Sequence, residues 1–464
     1  MEPISFIGVL IGLATTIYLI IKKLNPAVSM FLGAIIGYVA GSLISGTFYL
    51  SHIVPHIIIG VEPGMGGASS MTGVVVRIMA GGVLAGALIE SGAAESIARG
   101  IVNSLGEKRA LAAIALSSMV IVSVGVFIPV SVIVLAPIAL SVAQKSDISK
   151  FATILALSGG AKAGNIISPN PNSIAAAAFP FGGSGAGERI SELGGVHGLG
   201  PEHAIGLSDI MIGGFVPAVA TIIFTIFIVG KFKNNNAAGF VTDADMADIE
   251  AGSNLPPFSK AIIAPATAIF LLMLTPLGNI FGIEALARLD LDAFLVLPFA
   301  AFVGSVAMGK HKDIIDFTTK GVLRMAPVCL MLIGAGALSG LILNSDFPAV
   351  MANSMLAMGI PSMFLAPLSG TIMATATGSA AAGVIVSVSA FGEILLQDGL
   401  TPLAAGVMIN AGSNFLDYVP HGNYFLAGQQ SMKVSMVERM KVMPWEALIG
   451  AVLTITAVVI FGIL

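Results

Sequence analysis

Charge is scarce in this chain. Lys and Arg number 21 and Asp and Glu 25 among 464 residues, 10% in all, against 56% hydrophobic residues. An ordinary soluble domain carries roughly 25% charged residues, so a water-facing surface of normal size is excluded and the chain belongs in a bilayer. The net charge of −4 and the scattered basic residues exclude a polyanionic partner such as nucleic acid. Cysteine is nearly absent too. The single Cys329 excludes an internal disulfide and leaves no CxxC or His/Cys pattern for a metal, and no cofactor motif replaces it. The first apolar segment, 4–21, lacks a basic leader and a small-residue cleavage site and runs into Lys22 and Lys23. It is expected to be a retained span, not a signal peptide.

Long apolar runs are what the chain has in abundance. Hydropathy places spans near 4–21, 25–46, 72–90, 151–179, 208–230, 260–281, 291–308, 324–343, 401–426 and 443–463. Two further apolar segments, about 118–143 and 362–392, are interrupted by Pro, Gly, Ser or Thr and read as re-entrant hairpins. With the N-terminus outside and both hairpins returning to their side of entry, one side collects Lys22, Lys23, Arg99, Lys108, Arg109, Lys145, Lys150, Lys231, Lys233, Lys260, Lys310, Lys312, Lys320, Arg324, Lys433, Arg439 and Lys441. Arg77, Arg189 and Arg288 fall outside, and Lys162 stays in the membrane. That asymmetry matches the positive-inside rule.

Two spans cannot be continuous helices. Residues 158–179, SGGAKAGNIISPNPNSIAAAAF, hold Pro169 and Pro171 amid Asn165, Ser168, Asn170, Asn172 and Ser173. Proline removes an amide donor and clashes with the preceding turn, and broken backbone at membrane depth is tolerated where it lines a cavity or is buried in protein. Residues 410–425, NAGSNFLDYVPHGNYF, repeat the design with Asn414, Asp417, Pro420, His421 and Asn423. A shift of 249 places Asn165 on Asn414 and Pro171 on Pro420, and a shift of 254 places Gly82 on Gly336, Gly86 on Gly340 and Ser91 on Ser345. One copy ends inside and the other outside, so the expected fold is an all-α polytopic membrane protein of two inverted-topology repeats. Each repeat has a re-entrant hairpin and a broken transmembrane helix. The boundaries are 1–232 for the first repeat, 233–259 for a cytoplasmic linker and 260–464 for the second repeat. Amphipathic pieces at 93–105 and 348–358 are expected at the interface. The acidic residues Asp243, Asp245, Asp248 and Glu250 of the linker lack EF-hand spacing. The glycine-rich loop 181–206 follows no strand, as a phosphate loop would.

The hairpin tips offer small hydroxyl residues. Pro129 and Ser131 mark the first tip, and Thr375, Thr377, Gly378 and Ser379 the second. Such residues let amides and hydroxyls approach a ligand, and helix N-termini there favour a carboxylate; they also pack helices tightly in lipid. Ionisable groups inside a bilayer are functional hypotheses by default. Asp417 and His421 stand at i and i+4, where they would relay a proton or pin the break. Lys162 would neutralise a substrate carboxylate, pair with Asp417, take a cation's place, or snorkel to the membrane edge. Glu90 and Arg77 lie at span ends and read as interfacial.

The runs GNIISPNPNSIAAA, TATGSAAAG, NAGSNFLDYVPHGNYF and MKVSMVERMKVMPWEALIG resemble members of the gluconate:proton symporter family and its broader ion transporter superfamily. The similarity extends from about Gly81 to the C-terminus, the linker excepted. It implies a bacterial inner-membrane homodimer whose scaffold holds mobile transport domains, and uptake of a small hydroxy or sugar acid with protons by an elevator-like shift. Gluconate permeases carry a His-Pro-Gly-Pro-like run at the first break, whereas this chain has Asn170, Pro171, Asn172 and Ser173, which moves proton coupling to Asp417 and His421.

The sequence thus leads to a transporter, not an enzyme. Substrate is expected between Ser131 with Asn165, Ser168, Asn170, Asn172 and Ser173 on one side and Thr377, Gly378, Ser379, Asn414 and Asn423 on the other. Lys162, Asp417 and His421 would couple the ion, a proton with sodium as the alternative. A cation/proton antiporter without organic substrate is the competing class. An intramembrane hydrolase built on Ser379 and His421 lacks a nucleophile elbow.

Overall fold

The computed structural model describes residues 4–22, 24–59, 67–178, 205–246, 255–289, 291–347, 350, 354, 361–420 and 422–464. The N-terminal half runs α1 (Phe6–Ile21), α2 (Pro26–Ser45), α3 (Thr72–Glu90), α4 (Ala93–Leu105), α5 (Ala110–Ser123), α6 (Ile128–Lys145), α7 (Lys150–Ile166), α8 (Pro171–Ala178), α9 (Leu207–Gly213) and α10 (Phe215–Val229). The C-terminal half runs α11 (Ile263–Phe281), α12 (Ala293–Ala307), α13 (Ile314–Leu343), α14 (Leu365–Thr377), α15 (Ala380–Gln397), α16 (Pro402–Ser413), α17 (Asn423–Ser431) and α18 (Met436–Val458). Extended pairing among the described residues is limited to isolated bridges, Ile4 with Ser345 and Ser149 with Phe240. Among the described residues, seven helical stretches are long and apolar enough to cross a membrane, α2, α3 and α13 within them.

Local chemistry sets the helix starts. Asn25 accepts the amide of Ala27 at 2.9 Å ahead of Pro26 in α2, and Ser149 accepts that of Ala152 at 3.2 Å in α7. Thr401 does the same for Ala404 at 3.2 Å, ahead of Pro402 in α16. Each side chain satisfies an amide that the first helical turn leaves without a partner.

Both predicted hairpins form as helix–turn–helix pairs, α5 with α6 and α14 with α15. The turns are made by glycines with positive φ, Gly125 at 103° and Gly378 at 66°, a conformation that costs a residue with Cβ. The first turn lies just before Pro129 and Ser131. Proline suits the first helical turn, where its missing N–H is no loss, so these residues open α6 instead of forming the bend. The arms reach from Ala110 to Lys145, beyond the interrupted centre that marked the hairpin in sequence. Helix α13 likewise starts at Ile314 and runs for 30 residues, which draws Lys320 and Arg324 into it.

Packing couples the two halves reciprocally. Helix α3 packs on α13, while α2 packs on α13 and α12 packs on α3. Each hairpin lies on the broken helix of its own half, α5 on α7 and α14 on α16. The distal pieces exchange partners: α8 packs on α15, and α17 packs on α6. Glycine permits the closest of these contacts. A Cβ at Gly86 or Gly321 would collide with backbone of the facing helix, so α3 and α13 meet main chain to main chain, as small residues allow in lipid. The start of the linker is tied to α7 by Lys150, whose Nζ meets Asp245 at 2.9 Å and donates to the Lys433 carbonyl at 3.0 Å. Most of the amphipathic segment 348–358 and most of the loop 181–206 lie outside the described residues.

Gly321→Val is expected to destabilise the protein by about 1–3 kcal/mol through overpacking of α3 against α13, and thermal unfolding in detergent checks it. Burial raises the Asp245 carboxyl, but hydrogen bonds from Thr242 and from Lys150 outweigh it and hold the group below the usual carboxylate range. Its stabilisation is therefore complete above the unfolded value of about 3.9 and is lost as pH falls through the lower folded value. Asp245→Asn should lower the melting temperature at pH 7, with the gap to wild type closing under acid conditions.

Candidate functional site

The two breaks meet at the centre of the molecule. Helix α7 stops at Ile166 and α8 restarts at Pro171, with Asn170 between them accepting the amide of Ser173 at 3.1 Å. Pro171 supplies a helix start that needs no donor at its own nitrogen. In the second half, α16 stops at Ser413 and α17 restarts at Asn423, leaving Asn414–Pro420 and Gly422 irregular.

Lys162 of α7 bridges the two. Its ammonium donates to the main-chain carbonyl of Asn414 and to the Asp417 carboxylate, and it stands 4.6 Å above the Tyr418 ring. Both ion-pair members are buried, at 0% and 3% exposure. A buried ammonium needs such partners, because an unpaired one would carry most of its desolvation cost. Beside it, Asn165 donates to the Asn414 side-chain oxygen at 2.7 Å. Asn414 donates to the Asn410 carbonyl at 2.8 Å, and Asn410 to Ser173 at 3.4 Å. Asn165 and Asn414 are the pair equated by the 249-residue shift, so the two broken segments touch at positions that match in sequence.

A cavity of about 240 Å³ adjoins this network. One wall is α3 and α13, through Ala85, Ile89, Arg324, Met325, Pro327, Val328 and Met331; the other is both hairpin turns and both breaks. Four helix starts line it: Phe127–Val130 of α6, Asn172 of α8, Ser379–Ala381 of α15, and Asn423 with Tyr424 of α17. First-turn amides have no intrahelical acceptor and carry the positive end of the helix dipole. Four helix starts around one cavity favour an anion over a cation there. The side-chain nitrogen of Asn172 is buried and has no hydrogen-bond partner among the described residues, which leaves a donor for a ligand oxygen.

Of the residues singled out in sequence, Asn165, Asn172, Gly378, Ser379, Asp417 and Asn423 line the cavity. Lys162 and Asn414 stand behind Asp417 and Asn165. Asn170 and Ser173 cap α8, Ser168 donates to the Val122 carbonyl at 2.6 Å, and Ser131 donates to the Ile128 carbonyl at 2.8 Å. These four hold the breaks and the hairpin in shape. For Thr377 the backbone closes α14. His421 lies outside the described residues.

Two features escaped the sequence reading. Arg324, assigned to the cytoplasmic edge by charge, lines the cavity. Arg439, assigned likewise, is fully buried and grips Glu446 with two hydrogen bonds of 2.6 and 2.9 Å. Tyr424 donates to the same carboxylate at 3.2 Å, so this pair fixes one cavity residue from behind. The seven-residue spacing of Arg439 and Glu446, two helical turns on one face, was the available signal.

Fold and site together define a multi-pass, all-helical membrane transporter. A model of the family described as GntP family permease matches residues 4–186 and 199–464. The chain belongs to that family. It is 39% identical over 463 residues, 100% of this chain and 99% of the relative, to an uncharacterized transporter of Haemophilus influenzae. It is 23% identical to the gluconate permease of Bacillus subtilis, over 80% of this chain and 82% of that protein. To the high-affinity gluconate transporter of Escherichia coli it is 21% identical, over 92% of each chain. Among solved structures, MtrF of Neisseria gonorrhoeae, described as one of a class of antimetabolite efflux pumps, aligns with a TM-score of 0.59 at 15% identity, covering 91% of this chain and 86% of that one. The YdaH transporter of Alcanivorax borkumensis aligns at 0.55 and 16% identity, covering 85% of each. At those identities the likeness concerns the fold alone.

Lys162→Met should destabilise the protein by about 3–5 kcal/mol, since it leaves the Asp417 carboxylate buried without its counterion. The double variant Lys162→Met/Asp417→Leu should recover most of that loss. Unfolding curves of the three proteins in one detergent check it, and an unaltered single variant would show that the pair holds nothing.

Proposed function

We propose that this protein is a secondary active transporter that takes up a small hydroxy or sugar acid with protons. The cavity carries the reading: four helix starts, the unpartnered Asn172 amide and a guanidinium surround a space sized for a small anion. The names of the Bacillus and Escherichia relatives support an acid of the gluconate type. Carboxylate oxygens are met by first-turn amides, and hydroxyl groups by Asn165, Asn172, Ser379 and Asn423. Ser131, Ser168, Asn170, Ser173, Thr377 and Asn414 hold or flank that surface.

Coupling is assigned to Asp417 and Lys162, with His421 as the third member. A proton on Asp417 reduces the hold of the ammonium on the second break to its contact with the Asn414 carbonyl, which loosens α7 from Asp417. Substrate carboxylate and proton then restore the charge balance together. In the proposed elevator-like cycle the hairpins and broken helices, α5–α8 and α14–α17, move as a transport domain against α1–α3 and α11–α13. The reciprocal packing and the Asn165–Asn414 contact support two repeats of inverted topology, 1–232 and 260–464 around the linker 233–259. The assignment includes a homodimer in a bacterial inner membrane with the N-terminus outside.

Uptake of labelled gluconate and a panel of hydroxy acids into proteoliposomes, with a pH gradient, a sodium gradient or neither, tests the reading. Saturable accumulation driven by the pH gradient is expected. Asp417→Asn should lower that accumulation about tenfold or more while sparing substrate exchange. Accumulation driven by sodium alone would overturn the proton assignment. Ion-driven proton flux with no organic uptake would replace the proposal with a cation/proton antiporter.

A further inference from the structure

Arg324 of α13 lines the cavity together with the four helix starts. Its Nη2 donates to Glu90, the last residue of α3, at 2.6 Å. The other Glu90 oxygen meets the Lys320 ammonium at 3.1 Å, and Lys320 also reaches Asp316 at 2.8 Å. The guanidinium has no further acceptor among the described residues. Its exposure is 37%, and that of Glu90 is 17%.

Three physical points follow from this arrangement. An ion pair that water reaches is weak and breaks at little cost. A guanidinium prefers two parallel hydrogen bonds to one carboxylate, and Glu90 supplies one. Lys320 lies on the same helix one turn before Arg324, so Glu90 keeps a counterion when it lets go of Arg324.

We infer that Arg324 captures the carboxylate of the entering acid and that Glu90 is its built-in competitor. The acid displaces Glu90 from the guanidinium, Glu90 stays on Lys320, and Glu90 returns to Arg324 when the acid leaves. Substrate therefore meets a cation on the α3–α13 wall and amide dipoles on the facing wall, and a resident carboxylate keeps the cation from holding it too tightly. The inference rests on the organic-acid reading and adds to it the residue that governs affinity and release.

Equilibrium binding of labelled gluconate and glycerate to the full-length protein in detergent tests the exchange. Arg324→Gln should weaken binding about tenfold, the scale of one lost charge-assisted contact. Glu90→Gln should tighten it several-fold, and that gain should vanish in the Arg324→Gln background. A merely structural ion pair predicts instead that both single variants weaken binding alike, which would overturn the inference. Persistence of the Glu90→Gln gain without Arg324 would also overturn it, by exposing a general field effect. If Arg324→Gln does not fold, Arg324→Lys serves as the background, and Glu90→Gln must still tighten wild-type binding. A wild-type protein that binds neither acid would overturn the organic-acid reading itself, and this inference with it.

Discussion

The contact on which the centre of this protein depends is the buried ammonium of Lys162 held by the Asn414 carbonyl and the Asp417 carboxylate. Two helices are broken inside an apolar protein, and each break frees backbone groups that need partners. Lys162 satisfies a freed carbonyl and a carboxylate of the opposite half at once, so each break completes the other. The asparagine ladder beside it extends the same solution from Asn165 through Asn414 and Asn410 to Ser173. With the breaks locked to one another, the first turns of α8 and α17 are held beside those of α6 and α15.

That constraint explains why small residues recur around it. Hairpins reach the breaks because Gly125 and Gly378 turn sharply, and α5 and α14 lie close to α7 and α16 because Gly160, Gly164, Gly370 and Gly412 leave no side chain in the way. The cavity then has two walls of different kind. One consists of dipoles and amides supplied by irregular backbone; the other is a pair of long helices, α3 and α13, which contributes apolar side chains and the guanidinium of Arg324. A cavity of that construction suits an anion without a second fixed cation buried beside Lys162, where desolvation would be costly.

Behind the cavity, the Arg439–Glu446 pair acts through Tyr424. Its guanidinium also lies 5.6 Å from the Tyr424 ring and 5.0 Å from that of Phe425, so α18 fixes the start of α17 by stacking as well as by hydrogen bonding. Both charges are removed from water and pair with each other through both terminal guanidinium nitrogens. This is a buried element of support, and it ties the terminal helix to the cavity.

The sequence by itself determined the membrane environment, the all-helical class and where the two breaks and the two helix–turn–helix pairs fall, because each follows from local chemistry. Apolar length, paired prolines, cap residues and turn glycines act over a few residues and are legible in order. It also marked Lys162, Asp417 and most of the polar lining, since a polar group in an apolar run announces itself. Only the tertiary structure decided which of these face a common cavity and which, like Ser131 and Ser168, spend their hydrogen bonds on backbone. The same holds for Arg324 and Arg439: a charge near a span end looks alike whether it faces water, a cavity or a buried partner. That choice is made by helices distant in the chain, α3 for Arg324 and α17 with α18 for Arg439, and no local pattern records it.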